Sequence, residues 1–342
     1  MLTSPFYREN WSSQITELQI TLAQDAIARN DPVTLQNVLG DGSDAGEIPL
    51  KSGHLHDTPP LYLAARVGTR EIMETLLKYG TWMGCNFERL AMKIAIQCRN
   101  HAVLDVWLDP QWLSHNPLIC PGPTFRAAFI ECARVGDLEM VERLSGRCGG
   151  YSTDPAEIHF EAFLEAIRSG QVAVAEWILR LGWFEVENST VRFSIPKSAL
   201  FIALQDCHPP ARVPMVRMLL SYRADPNELC PSVKGTPLQA AIELNNPELI
   251  NLLLDHGADP SASTPGNMRL RAPLLYATRK GDVKLVRQFF EHGANPLIVF
   301  RGKTLLDEAK AGRILKEVTE ILVEFEWAER FDKWMKSGKI SE

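Results

Sequence analysis

The sequence predicts an all-α solenoid of about nine stacked helix pairs, the central ones degenerate, with β-hairpin fingers and a long C-terminal capping helix. A phrase is spoken twice, 36 residues apart: GTPLQAAIELNNPELINLLLDHGADPS at 235–261 and RAPLLYATRKGDVKLVRQFFEHGANPL at 271–297. A fixed period of roughly 20–50 residues marks a repeat architecture. Within each copy an apolar, alanine-bearing stretch is followed by Asn245 or Gly281 at the turn, then by a second apolar stripe at helical spacing. That stripe runs Leu249, Ile250, Leu252, Leu253, Leu254 in one copy and Val283, Leu285, Val286, Phe289, Phe290 in the other. Gly257 and Gly293 stop the second helix, and Pro260 and Pro296 cannot continue it. A single unit leaves its apolar face in water, so stability requires stacking.

The two clear copies serve as a ruler. Residues 1–20, with Phe6, Tyr7 and Trp11, are expected to form an N-terminal cap over the first repeat. The repeats themselves are expected over 21–312, opening at 21, 59, 91, 127, 161, 198, 236, 272 and 304. Turn residues fall at Asn30, Gly68, Asn100, Gly136 and Gly170, where positive φ favours glycine and asparagine. The unit at 198 carries a three-residue excess around Pro209–Pro210. Residues 313–342 are expected to form a capping helix and tail. There Leu315, Val318, Ile321, Leu322, Phe325 and Phe331 share one face, and Glu317, Glu320, Glu324, Glu326 and Glu329 the other. A polar outer face is what a terminal unit needs for solubility.

The phrases at 235–261 and 271–297 resemble ankyrin repeats, whose usual form is G-x-T-P-L-H-x-A-A-x-x-G-H, a second helix ending L-L, then G-A-D. The stretch 59–80 resembles it well, and the remaining units are diverged. The resemblance implies stacked helix pairs that bind other proteins through a concave groove and finger loops. It also implies a histidine at the fourth place that bonds neighbouring loops. Here Tyr62, Gln239, Leu275 and Asp307 stand at that place, so the network is expected to be weaker or rewired.

Composition narrows the function classes. With 45% hydrophobic and 23% charged residues, the chain is ordinary globular material. A net charge of −6 disfavours nucleic acid, which needs a basic surface. The seven cysteines form no Cys-x-x-Cys pair, which suits a reducing intracellular compartment, cytoplasmic or nuclear. No secretory leader and no membrane-length apolar run are visible. Nucleotide-binding, zinc-protease and nucleophile-elbow motifs are absent, so no cofactor and no metal are expected. His54, His56 and Asp57 form a histidine cluster without cysteine, read as a loop. His256 and His292 are read as structural, and Cys98 and Cys132 as small apolar residues on helices.

The candidate partner-binding residues are Trp82, Trp112, Trp183, Arg192, Arg66, Arg134, Arg168, Arg269 and Arg271. Arg66, Arg134, Arg168 and Arg279 share the eighth place of their units and would form a ladder along the first helices. The functional reading is an acidic ligand held by the ladder. The plainer reading is local pairing, since Glu131 and Glu165 sit three residues before Arg134 and Arg168. Long connections at 109–126 and 258–272, and a strand-like alternation over 181–197, mark irregular fingers. Tryptophan and arginine dominate interface hot spots. The leading expectation is a protein–protein interaction module. The alternative is a non-standard enzyme or small-molecule binder in the central repeats, with Glu131, His159, Glu161 and Glu165 as acid/base groups and Arg134 and Arg168 holding an anion.

Overall fold

The computed structural model describes residues 17–40, 60–78, 85–107, 109, 121–146, 155–182, 199–229, 235–262, 272–300, 303–308 and 316–325. These residues form a mostly helical fold in two compact units, Met1–Ala166 and Ile167–Glu342.

In the first unit, short helices alternate as first and second members of pairs. They are α1 (Glu17–Ala28) with α2 (Pro32–Gly40), and α3 (Pro60–Val67) with α4 (Arg70–Lys78). Next come α5 (Cys85–Gln97) with α6 (His101–Trp107), α7 (Pro121–Val135) with α8 (Leu138–Ser145), and then α9 (Pro155–Arg168). First helices stack on first helices, α1 on α3, α3 on α5 and α5 on α7, and second helices do the same. Alanines at the contacts, Ala64, Ala65, Ala91, Ala95, Ala128 and Ala133, are buried and let the backbones approach. The core between layers is Ile72, Met73, Leu76, Val103, Leu104, Phe129, Met140, Leu144 and Phe163.

The second unit begins its helices with α10 (Val172–Arg180) and continues with α11 (Ala199–Gln205) and α12 (Pro209–Ser221). Then follow α13 (Pro237–Glu243) with α14 (Pro247–Asp255), and α15 (Pro273–Lys280) with α16 (Val283–Glu291). A two-residue hairpin, β1 (Val299–Phe300) against β2 (Lys303–Thr304), precedes α17 (Leu305–Glu308). Residues 316–325 are helical; Val318, Ile321 and Leu322 are buried and Phe325 stacks on Phe290 with centroids 4.5 Å apart. Glu317, Glu320 and Glu324 are exposed, as the sequence pattern requires.

The ruler places the regular units well and the irregular ones with a shift. Openings at 59, 198, 236, 272 and 304 each stand one residue before a helix. The opening at 21 falls inside α1, and those at 91, 127 and 161 fall inside helices that begin at Cys85, Pro121 and Pro155. Those three first helices hold 13, 15 and 14 residues, against 7 in α11 and α13 and 8 in α3 and α15. The end of the expected finger 109–126 is therefore helical from Pro121. The excess near Pro209–Pro210 is absorbed in α12, whose first two residues are those prolines and which reaches 13 residues. Proline suits a first helical turn because its missing N–H would be unpaired there anyway.

The turns follow backbone chemistry. Left-handed φ occurs at Asn30, Gly136, Gly170, Asn245 and Gly281, as expected, but at Arg99 rather than Asn100, and not at Gly68, where glycine is instead required by space, since a Cβ would stand 2.6 Å from the Ala64 carbonyl oxygen. Asn100 instead donates its amide to the carbonyls of Gly68 (2.9 Å) and Ala65 (3.3 Å), tying one pair to the previous one. Gly170 is required twice over: φ is +73°, and a Cβ there would stand 2.6 Å from the Ala211 Cβ. Where the family-like histidine is missing, Gln239 closes a capping box with Thr236, accepting from the Thr236 N–H at 2.8 Å. Asp307 does the same with Thr304 at 2.9 Å. At Gln239 and Asp307 the side chain thus closes its own first turn. Among the described residues, no helix is long and apolar enough to cross a membrane.

Candidate functional site

The first-helix layer of the first unit is the candidate interface. On each helix three side chains, at one position, the next and the fourth after the first, stay partly or fully exposed. They are Tyr62, Leu63 and Arg66 on α3, and Lys93, Ile94 and Gln97 on α5. On α7 they are Ile130, Glu131 and Arg134, and on α9 Leu164, Glu165 and Arg168. Leu90 and Val67 extend the apolar part and are 46% and 50% exposed. The long α5, α7 and α9 add a further turn, carrying Arg126 on α7 and Glu157, Phe160 and Glu161 on α9.

The charges on α7 and α9 satisfy one another. Arg126 grips Glu161 with two nitrogens, Nε donating to Oε2 at 2.7 Å and Nη2 to Oε1, and also reaches Glu157 Oε1 at 3.1 Å. Arg134 makes the same two-pronged contact with Glu131, Nε to Oε2 at 2.9 Å and Nη2 to Oε1. Gln97 Nε2 adds a bond to Glu131 at 3.2 Å. Bidentate guanidinium–carboxylate pairs hold both partners in fixed geometry. Burial raises the Glu131 carboxyl, but the bonds from Arg134 and Gln97 outweigh it and its pKa lies below the usual carboxylate range. The charge of Lys93 adds to that lowering.

A pH effect follows. A carboxyl lowered in the folded chain contributes its stability above its ordinary value of 4.5 and loses it as pH falls through the folded value. Glu131→Gln is therefore expected to flatten the acid side of a urea-denaturation stability profile below about pH 4.5. An unchanged slope in that window would show that the pair contributes nothing.

Three of the four acid/base candidates, Glu131, His159 and Glu161, are engaged with partners. His159 is fully buried, its Nε2 2.8 Å from Ser145 Oγ and its ring edge-on to Phe129 at 5.1 Å, so it is a core residue. Glu131 and Glu161 are committed to Arg134 and Arg126. Burial, reinforced by the charges of Asp137 and Glu131, pushes the Cys132 thiol well above its usual range. Burial raises the Cys207 thiol too, against Arg212. A thiol held protonated is a poor nucleophile. Cys98 is exposed rather than packed, a correction to its reading as an apolar helix residue. No metal-binding group of three is present among the described residues. His256 and His292 bond their Nδ1 to the Leu252 and Gln288 carbonyls at 2.8 and 2.9 Å, closing helix ends as expected.

Of the expected binding residues, Arg66 and Arg168 are exposed at first-helix ends, and Arg134 is partly buried in its ion pair. Arg279 is exposed on α15 in the second unit. The plainer reading of the ladder holds for Arg134. Trp82, Trp112, Trp183, Arg192, Arg269 and Arg271 lie outside the described residues, as do the hairpin alternation from 183 onward and the His54–His56 cluster. Sequence reasoning missed Arg126. The signal was present, since Arg126 and Glu161 are opposite charges 35 residues apart, about one repeat.

Comparison with known proteins agrees with the helix pairs. A family model described as ankyrin repeats matches residues 163–264 and 200–300. The putative ankyrin repeat protein FPV014 of fowlpox virus (strain NVSL) is 29% identical over 110 residues, 32% of this chain and 24% of that protein. Alpha-latroinsectotoxin-Lt1a of Latrodectus tredecimguttatus is 34% identical over 86 residues, 25% of this chain and 6% of the toxin. The chain thus spans a quarter or less of these curated relatives. A crystal structure of the ankyrin repeat domain of Bcl-3, a member of the IkappaB family, is similar with a TM-score of 0.46 and 18% identity. That match covers 68% of this chain and 96% of the Bcl-3 chain.

Proposed function

This chain belongs to the ankyrin-repeat proteins, and we propose that it is an interaction module or scaffold that binds a protein partner on its first-helix groove and finger loops. Ankyrin repeats in general bind other proteins. The observation that carries the reading here is the first-helix face of the first unit. Its apolar side chains remain partly or largely exposed, while the charges of α7 and α9 neutralise one another. Such a face loses water readily against a partner.

Nine repeats, hairpin fingers and caps at 1–20 and 313–342 complete the proposed architecture. Trp82, Trp112, Trp183, Arg192, Arg269 and Arg271 on the connections, with Arg66, Arg134 and Arg168 on the first helices, are the proposed contact residues. An intracellular location, cytoplasmic or nuclear, is supported by the free thiols Cys98, Cys132 and Cys207.

Affinity capture with the wild-type chain, with Trp82→Ala/Trp183→Ala and with Glu71→Ala/Glu142→Ala on the second helices tests the reading. The tryptophan pair is expected to lose partners that the second-helix pair retains. Equal capture by all three, with unchanged circular dichroism, overturns the assignment of those tryptophans.

A further inference from the structure

The uncommitted charges of the first unit are segregated by face. Arg66 on α3 and Lys93 on α5 are exposed and make no ion pair among the described residues. Arg99, just past α5, is exposed in the same way. By contrast, Arg126, Arg134, Arg143 and Arg70 are each held by carboxylates. Two carboxylates with no ion pair among the described residues, Glu71 and Glu142, lie on the second helices α4 and α8. In a chain of net charge −6, the α3–α5 part of the first-helix layer is thus a local cationic patch.

The apolar surroundings matter equally. α3 packs beside α5. The same two helices carry Val67 and Leu90, both about half exposed, and Tyr62, Leu63 and Ile94, partly exposed. A cation beside low-dielectric surface attracts a carboxylate more strongly than one surrounded by water. An apolar strip with two exposed cations, of which Lys93 also feels the more distant Glu131 charge, fits a segment that alternates apolar and acidic side chains. Phosphate polymers would use the cations and leave the strip unfilled.

From this complementarity we infer that the α3–α5 face recognises an acidic, apolar peptide segment of a protein partner, its carboxylates meeting Arg66 and Lys93 and its apolar residues covering Leu90, Ile94 and Val67. The inference rests on the proposed interaction role and specifies the chemistry of the partner.

Fluorescence anisotropy with labelled peptides of alternating leucine and glutamate, and with leucine–serine and leucine–lysine peptides of equal length, tests it on the full chain. The glutamate peptide is expected to bind about tenfold more tightly than the serine peptide, a difference of about 1.4 kcal/mol. Rising salt should erode that margin. Arg66→Glu/Lys93→Glu should reverse the preference toward the lysine peptide. Arg66→Gln/Lys93→Gln, which should abolish the preference, serves if the reversal variant misfolds. Equal binding of glutamate and serine peptides, both lost in Leu90→Asp, overturns the inference and leaves the groove reading standing. Binding of none of the peptides, or binding untouched by every variant, overturns both. Displacement of the glutamate peptide by oligothymidylate at matched ionic strength also overturns the inference, because it assigns the patch to phosphate.

Discussion

Phe129→Ala is expected to lower the stability of the first unit by about 3–5 kcal/mol, the range for emptying a fully packed aromatic site. Phe129 is wholly buried near the middle of α7. Its ring lies parallel to Phe125 with centroids 6.4 Å apart and receives His159 of α9 edge-on at 5.1 Å. Truncation therefore opens a cavity against α9 and also strips one wall from a buried imidazole whose Nε2 is held by Ser145. Phe129→Leu keeps most of the volume and should cost about 1.5 kcal/mol or less. The stability of a repeat array is a sum of unit and nearest-neighbour terms. Amide exchange should accordingly rise first in α7, α8 and α9, while α13 to α16 keep their protection. Urea denaturation with peptide-resolved hydrogen exchange measures both parts. Unchanged exchange in α7 to α9 would show that the aromatic cluster does not hold those helices together.

The fold was legible where local chemistry and repeat phase agree. Thr236 and Pro237 stop and start a helix at one defined residue, and the structure follows with a complete capping box. Asn245 and Gly281 turn the chain where their tolerance of positive φ allows it. In the central units the phase survived but the helix starts moved. The buried alanines kept their places, while no Thr-Pro pair halts the helix before them. Pro121 and Pro155 therefore start α7 and α9 about a turn and a half earlier. The turn at Arg99 was misplaced by one residue for an energetic reason. Asparagine is the favoured left-handed residue, yet Asn100 is more valuable bonded to Gly68 and Ala65. The candidate face was half legible. The local pair Glu131–Arg134 follows from helical spacing, whereas Arg126–Glu161 and Gln97–Glu131 join different helices. Their separations of 35 and 34 residues, near the repeat period, are the signal that reveals them.

The same period predicts the second large effect, at Asp137. This residue is 3% exposed and does two tasks at once. Its Oδ1 accepts the Met140 N–H at 3.2 Å and caps α8. Its Oδ2 stands 2.6 Å from His101 Nε2, at the start of the second helix one unit earlier. Asp137→Ala removes a cap worth about 1 kcal/mol. It also removes the carboxylate's hydrogen bond with His101, in the class of bonds that involve a charged group, worth about 1.5–3 kcal/mol. A total loss of about 2–4 kcal/mol is expected, since such contributions are not strictly additive. Asp137→Asn separates the tasks: the amide oxygen can still cap α8, but the carboxylate facing His101 is gone. It should cost about half as much. The Glu139 carboxylate, 3.5 Å from His101 Nδ1 and largely exposed, is too well solvated to replace it. In a His101→Ala background, Asp137→Asn should lose most of its effect, and Asp137→Ala should retain the cap term alone. Denaturation midpoints of these variants form a double-mutant cycle. A coupling energy indistinguishable from zero would show that Asp137 acts on α8 only, and that the bond to His101 does not help join the two repeats.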